Sequence, residues 1–313
     1  MIFLVVGGAG FIGRHVIGEL ARRREEVWGY DIRPFPAGFS CKSIVQEGAS
    51  GPTGVPEWLP QVDVLIHLAW SSLPGSSNDD PLLDVESNVL SSLRWLTCCA
   101  RAGVRKVVFL SSGGTVYGVP SALPVAEDHP THPICSYGIT KLAVEEYLRL
   151  YHRCHGLDYV ILRASNAYGD WQLPERGQGI VSTLMWRCLQ GRPVSIFGDG
   201  SAIRDYIHAE DLARAVVEAA IQPVTERILN VGSGTGTSIV ELLDEIRGIS
   251  GRDILTEYLP ARVFDIPAII LDVANIRKSL GWEPVIGLST GLRRTWDWLS
   301  RCRGSIPVSG VSQ

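Results

Sequence analysis

Lysine is scarce in this sequence: among 29 basic residues only Lys42, Lys106, Lys141 and Lys278 are lysines. A motif that contains one therefore stands out against chance, and most basic chemistry falls to arginine, whose planar fork suits carboxylates and phosphates. An excess of positive charge is also lacking. The net charge of −4 excludes general attraction to nucleic acid, so an anionic ligand has to be met by a local group of cations. Cysteines at CxxC spacing are absent, and the seven present (Cys41, Cys98, Cys99, Cys135, Cys154, Cys188 and Cys302) are odd in number. That excludes a zinc ribbon, argues against a disulfide framework, and makes a reduced cytoplasm the expected location. No apolar run reaches the length of a membrane span. The opening "MIFLVV" has no cationic flank and runs straight into glycines, so it reads as a first buried strand and not as a signal peptide.

What is present is an ordinary globular composition, 45% hydrophobic and 20% charged over 313 residues. That length suits one large domain or two coupled ones. Strand-like runs alternate with helical ones: 2–6, a helix over 11–24, 26–31, 63–69, a helix over 82–102, 106–112, a helix over 136–155, then 158–165. Buried β-branched strands alternating with amphipathic helices predict an α/β fold, a Rossmann-type doubly wound parallel sheet. Beyond residue 165 proline and glycine become frequent and the alternation loosens. A dinucleotide-binding domain over 1–165 is expected, with parts of 205–233 returning to it. A smaller substrate-binding domain is expected over 166–204 and 234–300. The tail 303–313 has no periodicity and is expected to be disordered.

"VVGGAGFIG" follows the first strand and opens a helix. Gly8, Gly10 and Gly13 match GxGxxG, and Gly7, Gly10 and Gly13 match GxxGxxG. Such glycines allow a tight turn and let backbone N–H groups approach a pyrophosphate at a helix N-terminus. Asp31 ends the second strand, 18 residues past Gly13, where a carboxylate accepts from ribose hydroxyls and repels a 2′-phosphate. NAD is expected over NADP, with Arg33 close enough to soften the preference. Phe11, Ile12 and Ile32 flank these positions, and Leu68 and Ala69 end the "DVLIHLA" strand; all are expected cofactor contacts.

"SYGITK" places Tyr137 and Lys141 four residues apart at the start of a helix, hence on one face. With nine tyrosines and so few lysines, chance supplies a YxxxK only about 0.1 times. A tyrosine is a poor base near neutrality, but a neighbouring ammonium and a nicotinamide cation would stabilise its phenolate. It could then take the proton of a carbinol while the carbon gives up a hydride.

These elements together, with "SSGGTVYG" (111–118) and "LRASNAYG" (162–169), resemble the extended short-chain dehydrogenase/reductases, and within them the nucleotide-sugar epimerases of the UDP-glucose 4-epimerase type. The resemblance runs from Ile2 to about Leu299. It implies that Tyr137 is the base, that Lys141 holds the nicotinamide ribose, and that a Ser or Thr hydroxyl bridges substrate and tyrosine. Asn88 falls where the family has a buried asparagine near the cofactor. Asn166 falls on an asparagine that binds substrate near its phosphates. Arg204, in "GDGSAIRDYIHAEDLA", and Arg262, in "RVFD", match arginines that grip the diphosphate of a sugar nucleotide. The implied partners are a UDP-sugar and a second copy of the chain, the latter through the helices 82–102 and 136–155. A role in polysaccharide biosynthesis fits such an activity.

The chain departs from that family in three places. The slot of the bridging serine is Gly113, so the role passes to Thr115, favoured because two glycines free the backbone, to Ser112, or to an ordered water. Ala49 stands where an acidic residue meets the adenine amine. Trp70 replaces a small residue after "HLA", so that with Ser71 and Ser72 it reshapes the sugar pocket. Gly113-Gly114-Thr115 also replaces the Thr-Asp-Glu of the dehydratase relatives, which disfavours water elimination. A nucleotide-sugar reductase or dehydrogenase shares nearly all these residues and stays open as the alternative. A non-catalytic sensor would be expected to lose Tyr137 or Lys141. His67 and His208 read as satisfied core histidines, and no metal site is expected.

Overall fold

The computed structural model describes residues 1–46, 51–174, 179–262 and 265–302. The expectations for Ala49 and for the tail 303–313 lie outside them. The chain opens with β1 (Ile2–Val6), α1 (Phe11–Arg22), β2 (Glu26–Asp31), β3 (Lys42–Val45) and β4 (Val64–His67). A continuous helical run follows: α2 (Pro81–Asp84), a π-helical stretch (Val85–Leu90) and α3 (Ser91–Ala102). Then come β5 (Lys106–Ser112), α4 (Ser136–His155) and β6 (Asp158–Ala164). The second half holds β7 (Asn166–Tyr168), α5 (Ile180–Gln190), β8 (Val194–Phe197), β9 (Ile203–His208), α6 (Ala209–Ile221) and β10 (Ile228–Val231). It ends with β11 (Gly236–Ser238), α7 (Ile239–Ser250), β12 (Thr256–Leu259), β13 (Ala268–Ile269), α8 (Ala274–Leu280) and α9 (Leu288–Cys302).

The expected doubly wound sheet is present, seven strands in the order β10-β6-β5-β4-β1-β2-β3 with every pairing parallel. Its central strands are apolar throughout because both faces are covered. Alternate residues serve opposite faces: Phe3 and Val5 pack with Val16, Ile17, Leu212 and Val216 of α1 and α6. Leu4 and Val6 pack with Trp95, Leu96, Val144 and Leu148 of α3 and α4. A third core gathers Met185, Leu242, Leu243, Ile246, Leu292 and Leu299 from α5, α7 and α9 over β8 and β9. β9 anchors a smaller sheet with β7, β11 and β13.

Two boundaries differ from the sequence reading by two residues. β4 stops at His67 because the N–H groups of Leu68 and Ala69 both turn to the carbonyl of Val6. α1 stops at Arg22 because Arg24 takes a left-handed φ of 62°. α3 and α4 each end on a left-handed glycine, Gly103 and Gly156, the usual way to release a helix.

Candidate active site

The strand order reverses between β1 and β4, which opens a crevice at their C-terminal ends. Gly7 lines it with φ +88°, and a Cβ there would lie 2.6 Å from the N–H of Ala69. A Cβ at Gly13 would collide with the carbonyl of Gly7, so these glycines let turn and helix close on each other. α1 starts from Gly10 with no side-chain cap and no acidic residue in its first turn. Its first N–H groups and positive dipole end are therefore open to an anion. Asp31 braces the same turn: Oδ2 accepts from the N–H of Ala9 at 2.9 Å, and Oδ1 from the N–H of Arg33 at 3.0 Å. The guanidinium of Arg33 also bonds Asp31 and lies over Gly10. Ile32 is exposed, Ile12 packs on the core, and Phe11 sets its ring edge against His15.

Across the crevice, Tyr137 and Lys141 project from the first turns of α4 toward the tip of β5. Lys141 Nζ donates to the carbonyl of Leu110 at 2.7 Å. It sits 3.7 Å from the centroid of the Trp70 ring and 5.6 Å from that of Tyr137. Burial pulls Lys141 down to about 7, against the raising fields of Glu145 and Asp84. Burial pushes the Tyr137 phenol up, and Cys135 and Asp84 add to it. Burial thus favours the neutral phenol and works against the charge on the lysine. A cationic ligand in the crevice would push the phenol back toward ionisation.

The start of α4 is held from outside. The N–H of Ser136 donates to Asn78 Oδ1 at 2.9 Å and that of Tyr137 to Ser77 Oγ at 3.0 Å, so the loop before α2 caps the helix. Asp84, buried, accepts from Ser72, Asn88, Ser136 and Thr140 and ties that loop to α4. Asn88 is saturated within the protein: it donates to Ser72 and Asp84 and accepts from the N–H of Ser71. Ser71 bonds Asn88 and Ser87 and stays exposed at the crevice rim.

The tip of β5 sorts its hydroxyls. Ser111 turns inward and donates to Glu145, itself paired with Arg163 at 2.7 Å in a fully buried ion pair. Ser112 therefore faces the other way, half-buried, and its hydroxyl has no partner among the described residues. Gly113 cannot readily carry a side chain, since its Cβ would lie 2.6 Å from the buried Leu271. The hydroxyl of Thr115 is turned out of solvent and has no partner, an orientation that glycine flexibility alone did not predict.

The substrate-side residues lie on the second half. Asn166 begins β7, and its Oδ1 is 3.3 Å from where a Cβ on Gly114 would stand, which sets it beside the β5 tip. Arg204, on β9, donates to the carbonyl of Ile203, and burial lowers it with a repulsive contribution from Arg262. Arg262 pairs with Asp265 at 2.9 Å and stacks 4.2 Å over Phe197. The two arginines thus stand within each other's field, and Arg262 Nη1 lies 3.9 Å from where a Cβ on Gly75 would stand, on the loop that caps α4.

The histidines correct their description as satisfied core residues. His67 meets Ser92 through Nε2 while Nδ1 has no partner; His208 accepts from the N–H of Glu210 while Nε2 has none. Burial lowers both, to about 3 and about 4. Among the described residues no group of three His, Cys, Asp or Glu side chains could hold a metal. Asp84, Glu145 and the Ser77–Asn78 cap escaped the sequence reading. Only Glu145 left a signal, four residues beyond Lys141 on the same helical face.

The family described as NAD dependent epimerase/dehydratase matches residues 3–232. The UDP-glucose 4-epimerase of Mycolicibacterium smegmatis is 36% identical over 305 residues, covering 93% of this chain and 96% of the relative. A UDP-glucose 4-epimerase of Thermotoga maritima, solved with UDP-glucose, superposes with a TM-score of 0.88 at 32% identity, covering 97% of this chain and 100% of that one. One from Thermus thermophilus, solved with NAD, superposes with a TM-score of 0.86 at 32% identity, covering 96% and 99%.

Proposed function

The chain belongs to the NAD-dependent epimerase/dehydratase family, and from that premise we propose that it is a nucleotide-sugar 4-epimerase acting on a UDP-sugar through a transient 4-keto intermediate. The observation that carries this reading is the meeting of Tyr137 and Lys141 with the tip of β5 at the mouth of the glycine crevice. NAD suits the crevice: the uncapped start of α1 takes the pyrophosphate, Asp31 the adenosine ribose, and Lys141 the nicotinamide ribose. Bound NAD supplies a reversible hydride acceptor. Tyr137, as phenolate, takes the proton of the C4 hydroxyl and later returns it. Lys141, as ammonium, lowers the cost of that phenolate. Ser112 orients the C4 oxygen, and Asn166, Arg204 and Arg262 hold the diphosphate by charge-assisted bonds.

Water elimination is disfavoured on geometric grounds. Leu271 fills the space that a threonine at position 113 would need, and Gly114 and Thr115 offer no acid–base pair. The decisive experiment incubates the purified protein with UDP-, dTDP- and GDP-sugars and reads stereochemistry at C4 by NMR. Inversion without added cofactor is expected, with NAD released only on denaturation. NADPH-dependent net reduction would replace this reading by a reductase. Tyr137→Phe should lower turnover by about 10²–10⁴-fold while UDP-sugar binding persists.

The described helices include none long and apolar enough to cross a membrane, and the seven cysteines are free thiols, which supports a cytoplasmic location. Leu82, Leu83 and Leu90 on α2–α3, with Ile139 and Leu150 on α4, expose large apolar side chains. We read them as the contact surface of a homodimer. Leu150→Asp should shift the mass measured by light scattering from dimer to monomer.

A further inference from the structure

The side chain following the β4 strand end has a position that the catalytic assignment leaves unexplained. Trp70 directly follows Ala69, whose N–H is fixed to the carbonyl of Val6 in the floor of the crevice. Its ring is enclosed by three groups: Lys141 Nζ at 3.7 Å over the face, Tyr137 edge-on at 6.0 Å between centroids, and Phe109 at 5.9 Å. Its indole N–H is buried without a partner. A buried indole normally finds an acceptor, so hydrogen bonding of its own does not hold this ring in place; its faces do.

The charged groups around Lys141 point the same way. On its own helix it meets Tyr137 and Glu145; Asp84 acts on it from α2, and His67 lies in range on β4. Both carboxylates are engaged elsewhere, Glu145 with Arg163 and Ser111, Asp84 with Ser72, Asn88, Ser136 and Thr140. Burial holds His67 neutral. The ammonium thus has a single carbonyl and two aromatic faces as its immediate partners, Trp70 at 3.7 Å and, further off, Phe109 at 4.9 Å.

We propose that Trp70 is a positioning residue: its ring face keeps Lys141 charged and aimed between the β5 tip and the Tyr137 ring. This goes beyond the epimerase reading, which assigns Lys141 a role but not what sustains its charge. Indole is the strongest of the aromatic partners for a cation, phenyl is weaker, and an aliphatic side chain offers none.

The small number of lysines makes a direct test practicable. Protein carrying isotope-labelled lysine is titrated by NMR, with Lys141→Arg identifying the signal. Trp70→Leu should lower the apparent pKa of Lys141 by about one unit and Trp70→Phe by less. This readout needs neither substrate nor turnover, so it stands even if the epimerase reading fails. Where turnover is measured, the alkaline limb of kcat should move down in the same order, because deprotonating Lys141 removes the charge that supports the Tyr137 phenolate. An unchanged Lys141 pKa in folded Trp70→Phe and Trp70→Leu would overturn the proposal and leave Trp70 a packing residue. So would a fall in kcat with both pH limbs unmoved.

Discussion

At the scale of single residues the open choice is which hydroxyl meets the substrate beside Tyr137. Strand alternation says that Ser111 and Ser112 point apart, and the bond from Ser111 to Glu145 decides which one is committed to the interior. Thr115 follows two glycines, which favours it from sequence, yet its hydroxyl is turned out of solvent. Ser112→Ala is therefore expected to lower kcat by about 10²-fold or more, the usual scale for losing a hydrogen bond in a proton-transfer step. Thr115→Val removes an unpartnered polar atom with little change of shape. It should leave kcat within about threefold and stability unchanged or slightly higher. Steady-state kinetics and thermal melts of both variants check this, and the reverse ranking would hand the role to Thr115.

At the scale of elements, β5, β6 and α4 act as one braced unit. Register sets Ser111 opposite Arg163, and Glu145 descends from α4 to bond both. The parallel strands, the glycine turn, Asp31 and the Tyr137–Lys141 face were legible because each depends on local spacing and on period-2 or period-3.6 patterning. The brace was not, since it joins three elements through a register that no short stretch encodes. The cap from Ser77 and Asn78 was hidden for the same reason: it comes from a loop some 60 residues upstream in the chain. A buried pair broken on one side leaves an uncompensated charge, whereas removing both sides need not. Glu145→Leu and Arg163→Met should each cost about 3–5 kcal/mol in chemical denaturation, and the double variant clearly less than their sum. Additive losses would show that the two groups stabilise independently.

At the scale of the whole molecule, the junction of the two halves carries groups that bear on acid stability. His15 of α1 bonds the carbonyl of Asp170 after β7, and Asp170 lies in the field of Glu210 on α6 and Arg294 and Arg301 on α9. Burial, then Glu210, push the Asp170 carboxyl up to about 6, and its Oδ1 has no partner. Nearby His208 is held down to about 4, mainly by burial. The two act in opposite directions. A histidine kept neutral in the fold binds fewer protons than in the unfolded chain, so its contribution is complete above 6.5 and is lost as pH falls toward about 4. A carboxyl with a raised pKa binds more protons when folded, so it costs nothing below 3.8 and its full penalty appears above about 6. His67, lowered to about 3, and His15, also lowered by burial, act with His208, while Glu127 and Asp205, raised by burial, act with Asp170. Asp170→Asn removes one carboxyl's contribution and leaves the histidines in place. Because that carboxyl is partly solvated, the gain at pH 7.5 should be modest, ~1 kcal/mol, and should vanish by about pH 4. Melting temperatures of wild type and Asp170→Asn across pH 4–8 test the sign directly. A variant less stable than wild type at pH 7.5 would mean that ionised Asp170 is held by a partner, such as Arg294 or Arg301, strongly enough to offset its burial.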